Sequence, residues 1–230
     1  MIDFRPPSFG DTTKLLALIL SSSGTTGTSK GVSLSHHHVL SYVNTANQSD
    51  SYRFLSFSPT YWASGITSPI VAACRSRDTK IVTTDPFNVD LLVHLIKKYD
   101  VNYCHVAPHQ LNLLLRSPEL DPRDFIGVQV INVMGGVVSQ NLRNEFQATF
   151  PRHGLIIGYG MSETCISIGL TDPNNYNDGL TAGRIASNIL LKVIDDQGQN
   201  QEIGRSGEVL VRTQFPFMVS ELLAFIECVV

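Results

Sequence analysis

Val128-Gln129-Val130-Ile131-Asn132-Val133, running into Met134-Gly135-Gly136-Val137, is an apolar run of strand length closed by a glycine pair. Behind it Ser139 caps a segment that places Leu142, Phe146 and Phe150 on one helical face, and Leu155-Ile156-Ile157 returns to a strand. The same alternation extends upstream. Val101 to Ala107 reads as a strand, and Pro108 opens a helix over Leu111 to Leu115 that ends before Pro118. Asp85-Pro86 starts a helix with Leu91, Leu92, Leu95 and Ile96 on one face and Lys97 and Lys98 at its negative end. Earlier still come strands at Ile81-Val82-Thr83, Phe54 to Ser58 and Leu16 to Ser21, with a helix capped by Ser35 between the last two. Strands alternating with helices predict an α/β fold, a mostly parallel sheet with flanking helices.

After about Thr181 the pattern changes. Leu190 to Ile194, the turn Asp195-Asp196-Gln197-Gly198, and Gly207 to Arg212 read as short antiparallel strands joined by tight turns. The expected organisation is a central α/β unit over residues 1–180, a small β-rich subdomain over 181–218 and a divergent apolar tail over 219–230.

At 230 residues, with 43% apolar and 16% charged residues, the chain has ample material for a buried core. A net charge of −3 supplies no general attraction to nucleic acid or to a membrane surface. Cys74, Cys104, Cys165 and Cys228 form no closely spaced pair, which argues against a zinc site or a disulfide framework and for a reducing, intracellular setting. The apolar run Leu15 to Leu20 is too short to cross a bilayer, the first ten residues do not form a secretory signal, and Cys228-Val229-Val230 is no peroxisomal or lipidation address.

Three segments carry chemistry. The first, Ser21-Ser22-Ser23-Gly24-Thr25-Thr26-Gly27-Thr28-Ser29-Lys30-Gly31, packs seven hydroxyls, three glycines and one lysine into eleven residues. Glycines let backbone N–H groups turn toward an anion, hydroxyls donate further bonds and Lys30 adds a compact positive charge, so the run is suited to phosphate. It is not a Walker A loop, because Lys30 follows Ser29 rather than glycine. A flexible linker has a similar composition, but the alternation resumes at once in Val32-Ser33-Leu34-Ser35. The second and third are Met134-Gly135-Gly136-Val137 and Gly158-Tyr159-Gly160-Met161-Ser162-Glu163-Thr164, each following a strand. All three are expected at the carboxyl ends of the strands, where open α/β sheets bind ligands.

In their order and composition these segments resemble the adenylate-forming superfamily of acyl-CoA synthetases, 4-coumarate-CoA ligases and beetle-luciferase-like enzymes. Ser22 to Gly31 is similar to that family's phosphate loop, Tyr159 to Thr164 to its aromatic-Gly-x-Ser/Thr-Glu signature, and Gly183-Arg184 with Gly204 to Val209 to its later Gly-Glu segment. The resemblance covers about Thr12 to Met218 and implies roles. Ser22, Ser23, Gly24, Thr25, Thr26, Gly27 and Lys30 would hold the β- and γ-phosphates of ATP, and Tyr159 would stack on adenine beside Gly135, Gly136 and Val137, with Gly158 and Gly160 flanking it. Ser162 would donate to the α-phosphate and Glu163 would bind Mg2+. Lys30, Ser162 and Glu163 are then the catalytic candidates, and CoA is the acyl acceptor. The implied reaction is attack of a carboxylate on the α-phosphorus, giving acyl-AMP and pyrophosphate, then thioester formation with CoA.

The chain also departs from the family. Ser29 stands where proline usually precedes the loop lysine, and Tyr61-Trp62 replaces an aromatic-histidine pair, which makes Trp62, Ser64 and Gly65 the candidate substrate pocket. After Met218 the family's Asp-Gly-Trp segment, hinge arginine and lid domain with its lysine have no counterpart, nor has the subdomain ahead of the phosphate loop. The lid is therefore expected to be missing, and two readings stay open: a carboxylate-CoA ligase present as a partial chain, or a catalytically incomplete nucleotide-binding fragment. Self-association through uncovered apolar surface is expected, the carboxylic acid is undetermined, and a cytoplasmic or peroxisomal setting fits either reading. His36-His37-His38 cannot converge on one metal ion from consecutive helical positions, Cys165 has no neighbouring histidine in sequence to activate it, and Trp62 suits core packing or a pocket wall equally.

Overall fold

The computed structural model describes residues 5, 7, 8, 10–22, 30–45, 52–67, 78–165, 167–175, 181–187 and 189–213, and of residues 22, 30 and 41–45 the backbone alone. Its centre is a seven-stranded sheet in the order β4-β3-β5-β6-β7-β8-β9. The strands are β3 (Arg53–Ser56), β4 (Thr79–Ile81), β5 (Tyr103–Val106), β6 (Val130–Met134), β7 (Gly154–Gly160), β8 (Ser167–Leu170) and β9 (Arg184–Ile185). Strands β4 through β7 pair in parallel, and β8 and β9 are added antiparallel. The α/β expectation with a mostly parallel sheet therefore holds.

Helices α3 (Val89–Tyr99), α4 (Pro108–Arg116) and α5 (Gln140–Thr149) supply the crossovers, and their apolar faces cover one side of the sheet. Alternation along the strands sends Leu55, Ile81, Cys104, Val106, Ile131, Val133, Leu155 and Ile157 into that core, where they meet Leu92, Leu95, Ile96, Leu111, Leu114, Leu142, Phe146 and Phe150. Phe146 and Phe150 are fully buried with ring centroids 5.4 Å apart. Helix starts follow side-chain capping. Ser139 Oγ accepts from Leu142 N at 3.3 Å, and Asn88 Oδ1 accepts from Leu91 N at 2.8 Å. That Asn88 cap starts α3 at Val89, after the Asp85-Pro86 start expected from sequence. The short strand expected at Ile81 to Thr83 lies instead at Thr79–Ile81, because pairing of Phe54 with Lys80 and Leu55 with Ile81 sets the register and leaves Val82 exposed.

Two smaller sheets flank this one. β1 (Leu16–Ser22) and β2 (Lys30–Ser35) form an antiparallel ribbon, followed by α1 (His36–Thr45), whose start Ser35 caps by accepting from His38 N at 3.2 Å. The first strand was expected within the parallel sheet. The ribbon corrects that: seven residues separate Ser22 from Lys30, whereas a parallel neighbour needs a crossover of about a dozen or more. β10 (Ile189–Ile194) and β11 (Glu208–Thr213) form the other ribbon. Asp195 to Gly198 forms the expected turn, with Asp195 Oδ1 accepting from Gln197 N and Gln199 N at 3.0 and 2.8 Å. The strands are not joined by that turn alone, since a second turn closes with Arg205 N donating to Glu202 O at 3.2 Å. β9 follows residue 181 yet belongs to the main sheet. The tail 219–230 lies outside the described residues.

Candidate functional site

The ribbon of β1 and β2 ends in the register pair Ser22 and Lys30. Ser23, Gly24, Thr25, Thr26 and Gly27 of the phosphate-loop reading lie outside the described residues, as do the side chains of Ser22 and Lys30. What the structure does establish is the ribbon's partner. Leu20 and Leu34 bury a small apolar hub together with Cys165, and Leu18, Val32, Val39, Ala63 and Ile66 pack around it. The one-turn 3-10 helix Ser162–Thr164 consequently lies against both strands.

Cys165 closes that turn in a left-handed conformation, φ 60°, with its N–H donating to Ser162 O at 3.1 Å. Thr164 Oγ1 donates to Met161 O at 3.0 Å, which anchors the other end. Half-buried Ser162 and Glu163 are thereby carried to the ribbon. Burial pushes the Cys165 thiol up to about 12, so it stays protonated at neutral pH and serves packing rather than nucleophilic attack. Neither Thr164 nor Cys165 was a site candidate in the sequence, although Cys165 is the residue that brings two of the motifs together; its only signal there was adjacency to Ser162-Glu163-Thr164.

The second cluster forms where β6 and β7 end. Met134 and Gly158 are register partners, and Gly158 is buried because a Cβ there would lie 2.7 Å from Met134 Cγ. Gly135 takes φ 90°, which only glycine adopts without strain, and a Cβ on Gly136 would sit 3.3 Å from Pro108 Cγ. Val137 is 88% exposed beside them. The sequence suggested that the strand stops at Ile157 and that a loop begins at Gly158. Instead β7 runs to Gly160, because β8 supplies backbone partners for Gly158 and Tyr159 through Leu170 and Gly169. Tyr159 is half-buried against the Ile168 and Ile189 cluster, near Met161, Ala186, Leu191 and Val211, so packing fixes the ring.

The candidate substrate residues Trp62, Ser64 and Gly65 lie at and within a short helix that packs on the same hub. Trp62 is 49% exposed and meets Tyr61 edge to face at 5.8 Å. Among the described residues it belongs to no core cluster, and it immediately precedes α2 (Ala63–Ile66), whose Ala63 and Ile66 sit on the same hub as Cys165. Ser64 Oγ donates to Ser58 Oγ at 3.3 Å. Gly65 is buried, and a Cβ there would overlap the carbonyl of Pro59. Its place is set by backbone packing.

The sheet face opposite α3 to α5 is polar and aromatic. Phe54 stacks on Tyr103 at 5.0 Å, Lys80 Nζ lies 3.6 Å from the Phe54 ring centre, and Asn132 Nδ2 donates to Tyr103 Oη at 3.0 Å. His105 is buried there, edge-on to Phe54 at 6.3 Å, and its Nδ1 has no hydrogen-bond partner among the described residues. Burial, reinforced by Lys80, pulls His105 down from 6.5 to about 4. The folded pKa lies below the unfolded one, so between these values the unfolded chain binds the extra proton and stability rises with pH. The stabilisation is complete above about 6.5 and is lost as pH falls toward about 4. His105→Leu is expected to flatten the fall in urea midpoint between neutral and acid pH; an unchanged slope would exclude His105 as its source.

These elements set an antiparallel ribbon, a Ser-Glu turn and a glycine loop at one end of a largely parallel sheet, which is the architecture of adenylate-forming enzymes. The chain belongs to the AMP-binding enzyme family, whose model matches residues 8–219. It is 27% identical over 208 residues to 4-coumarate--CoA ligase 3 of Oryza sativa subsp. japonica, a match covering 83% of this chain and 37% of that one. It is also 27% identical over 215 residues to indoleacetate--CoA ligase of Aromatoleum aromaticum, covering 90% of this chain and 41% of the relative. Among solved structures, the luciferase-like enzyme from the nonluminescent mealworm Zophobas morio superposes with a TM-score of 0.80 at 24% identity, over 94% of this chain and 52% of that one. That likeness establishes the fold. The chain spans less than half the length of both ligases. Among the described residues no helix is long and apolar enough to cross a membrane.

Proposed function

We propose that this chain carries the nucleotide-binding and adenylating part of an ATP-dependent carboxylate-CoA ligase. The observation that supports it most is the hub of Leu20, Leu34 and Cys165, which seats Ser162 and Glu163 against the ribbon ending in Ser22 and Lys30. In this reading residues 22–30 hold the β- and γ-phosphates and Lys30 offsets their charge. Gly135, Gly136 and Val137 face one side of the adenine and Tyr159 the other, and Ser162 donates to the α-phosphate. A carboxylate then attacks the α-phosphorus, pyrophosphate leaves, and CoA takes the acyl group. Catalysis of this step is mostly positioning and charge neutralisation. Glu163 fits Mg2+, which commonly takes one or two carboxylates and completes its shell with phosphate oxygens and water, and the ion would neutralise phosphate charge there. The two CoA ligases similar to this chain are named for aromatic acids, and the exposed Tyr61-Trp62 pair suits an aryl acid as the substrate.

A second reading, also open in the sequence, is nucleotide binding without turnover. Two measurements on the purified chain separate the readings: AMP binding by calorimetry, and carboxylate-dependent exchange of labelled pyrophosphate into ATP. AMP binding is expected under both readings, and measurable carboxylate-dependent exchange under the first alone. Absence of AMP binding would defeat both readings, and exchange at the rate of a full-length ligase would defeat the second.

A further inference from the structure

Arg143 on α5 is a buried cation, 3% exposed, and was no part of the sequence-based site. Among its hydrogen bonds, Nε donates to the carbonyl of Val138 at 3.2 Å and Nη2 to the carbonyl of Thr181 at 3.0 Å. Val138, 2% exposed, is the first buried residue after the exposed run Gly135 to Val137, so its carbonyl marks where that loop re-enters the core. Thr181 leads into β9. Its Oγ1 accepts from Gly183 N at 2.9 Å, and Gly183, at φ 90°, packs so closely on the Leu170 carbonyl that a Cβ would overlap it. Leu170 in turn pairs with Arg184 on one side and with Gly158 on the other. One guanidinium therefore joins the glycine loop after β6 to the strands that frame Tyr159.

We propose that Arg143 is a positioning residue that sets the separation between the two walls of the adenine site, the Gly135 to Val137 loop and the Tyr159 strand. The inference rests on the proposed assignment of those walls to adenine. The planar fork suits two carbonyls arriving from different segments, whereas an ammonium on a flexible stem holds them as a point charge without that geometry. The ribbon ending in Ser22 and Lys30 makes no part of this chain of contacts, so phosphate binding should be independent of it.

The test uses Arg143→Lys in the purified chain, with AMP and inorganic tripolyphosphate as separate calorimetric probes and thermal unfolding as the control. AMP affinity is expected to fall about tenfold, the effect of about 1.4 kcal/mol, while tripolyphosphate affinity stays within about twofold. Equal weakening of both probes would mark Arg143 as a general structural residue and overturn the inference, as would unchanged AMP affinity. Should Arg143→Lys fail to fold, Arg143→Gln, which keeps a planar donor, gives the same comparison. Loss of AMP binding in the unmodified chain would instead remove the adenine reading, and the inference with it, before any variant is compared.

Discussion

Gly65→Ala is expected to destabilise the fold by about 3 kcal/mol and lower the unfolding midpoint by roughly 6–12 °C. A Cβ at this buried position would fall inside the Pro59 carbonyl and lie 2.8 Å from the Ser58 carbonyl oxygen, and both obstacles are backbone. Relief would require shifting the turn in which Trp62 N donates to Pro59 O at 3.0 Å and Gly65 N donates to Trp62 O at 3.0 Å. That turn seats Ala63 and Ile66 on the hub with Leu20, Leu34 and Cys165, so the disturbance would spread to the ribbon of β1 and β2. Trp62→Ala is the contrast: half-exposed and outside the core clusters of the described residues, it should leave the midpoint within about a degree. Differential scanning calorimetry of the two variants decides between a packing glycine and a pocket-lining one. A Gly65→Ala protein as stable as its parent would restore Gly65 to the pocket.

Glu163→Gln is expected to weaken MgATP binding on the order of 10- to 100-fold. Loss of a group that merely supports a metal ligand already costs that much, so removal of the carboxylate that would contact the ion should cost no less. The substitution keeps the size of the side chain and leaves the turn intact, because that turn is held by Cys165 N on Ser162 O and by Thr164 Oγ1 on Met161 O. AMP binding measured with EDTA should therefore remain within about twofold of the parent. The pair of titrations isolates the metal contribution from the nucleotide contribution. Equal affinity for MgATP in parent and variant would return Glu163 to the class of solvated surface charges.

Much of the fold was legible because local and tertiary preferences agree. Leu142, Phe146 and Phe150 recur at helical spacing behind a serine cap, and the structure buries all three under β6 and β7. Pro108 opens α4 where its fixed φ and missing N–H cost nothing. The misplaced boundaries have a common origin in pairing between strands. Thr79 and Lys80 are strand residues because β3 lies alongside, and Gly158 to Gly160 are strand residues because β8 does. Lys80, Gly158 and Gly160 are residue types depleted in strands, so local propensity does not announce this.

The sequence by itself determined the alternation of strands and helices, the glycine turn after β6 and the presence of a hydroxyl-rich run followed by a Ser-Glu signature. It did so because period and turn chemistry are local properties of the chain. Only the tertiary structure decided that the strands on either side of the hydroxyl-rich run form a separate antiparallel ribbon, that Cys165 packs the signature against it, that a Cβ at Gly65 would overlap the Pro59 carbonyl and that Arg143 joins Val138 to Thr181. Each of those depends on atoms far apart in the chain coming within a few ångströms, and burial and backbone hydrogen bonding across such distances leave no periodic trace in the residues themselves.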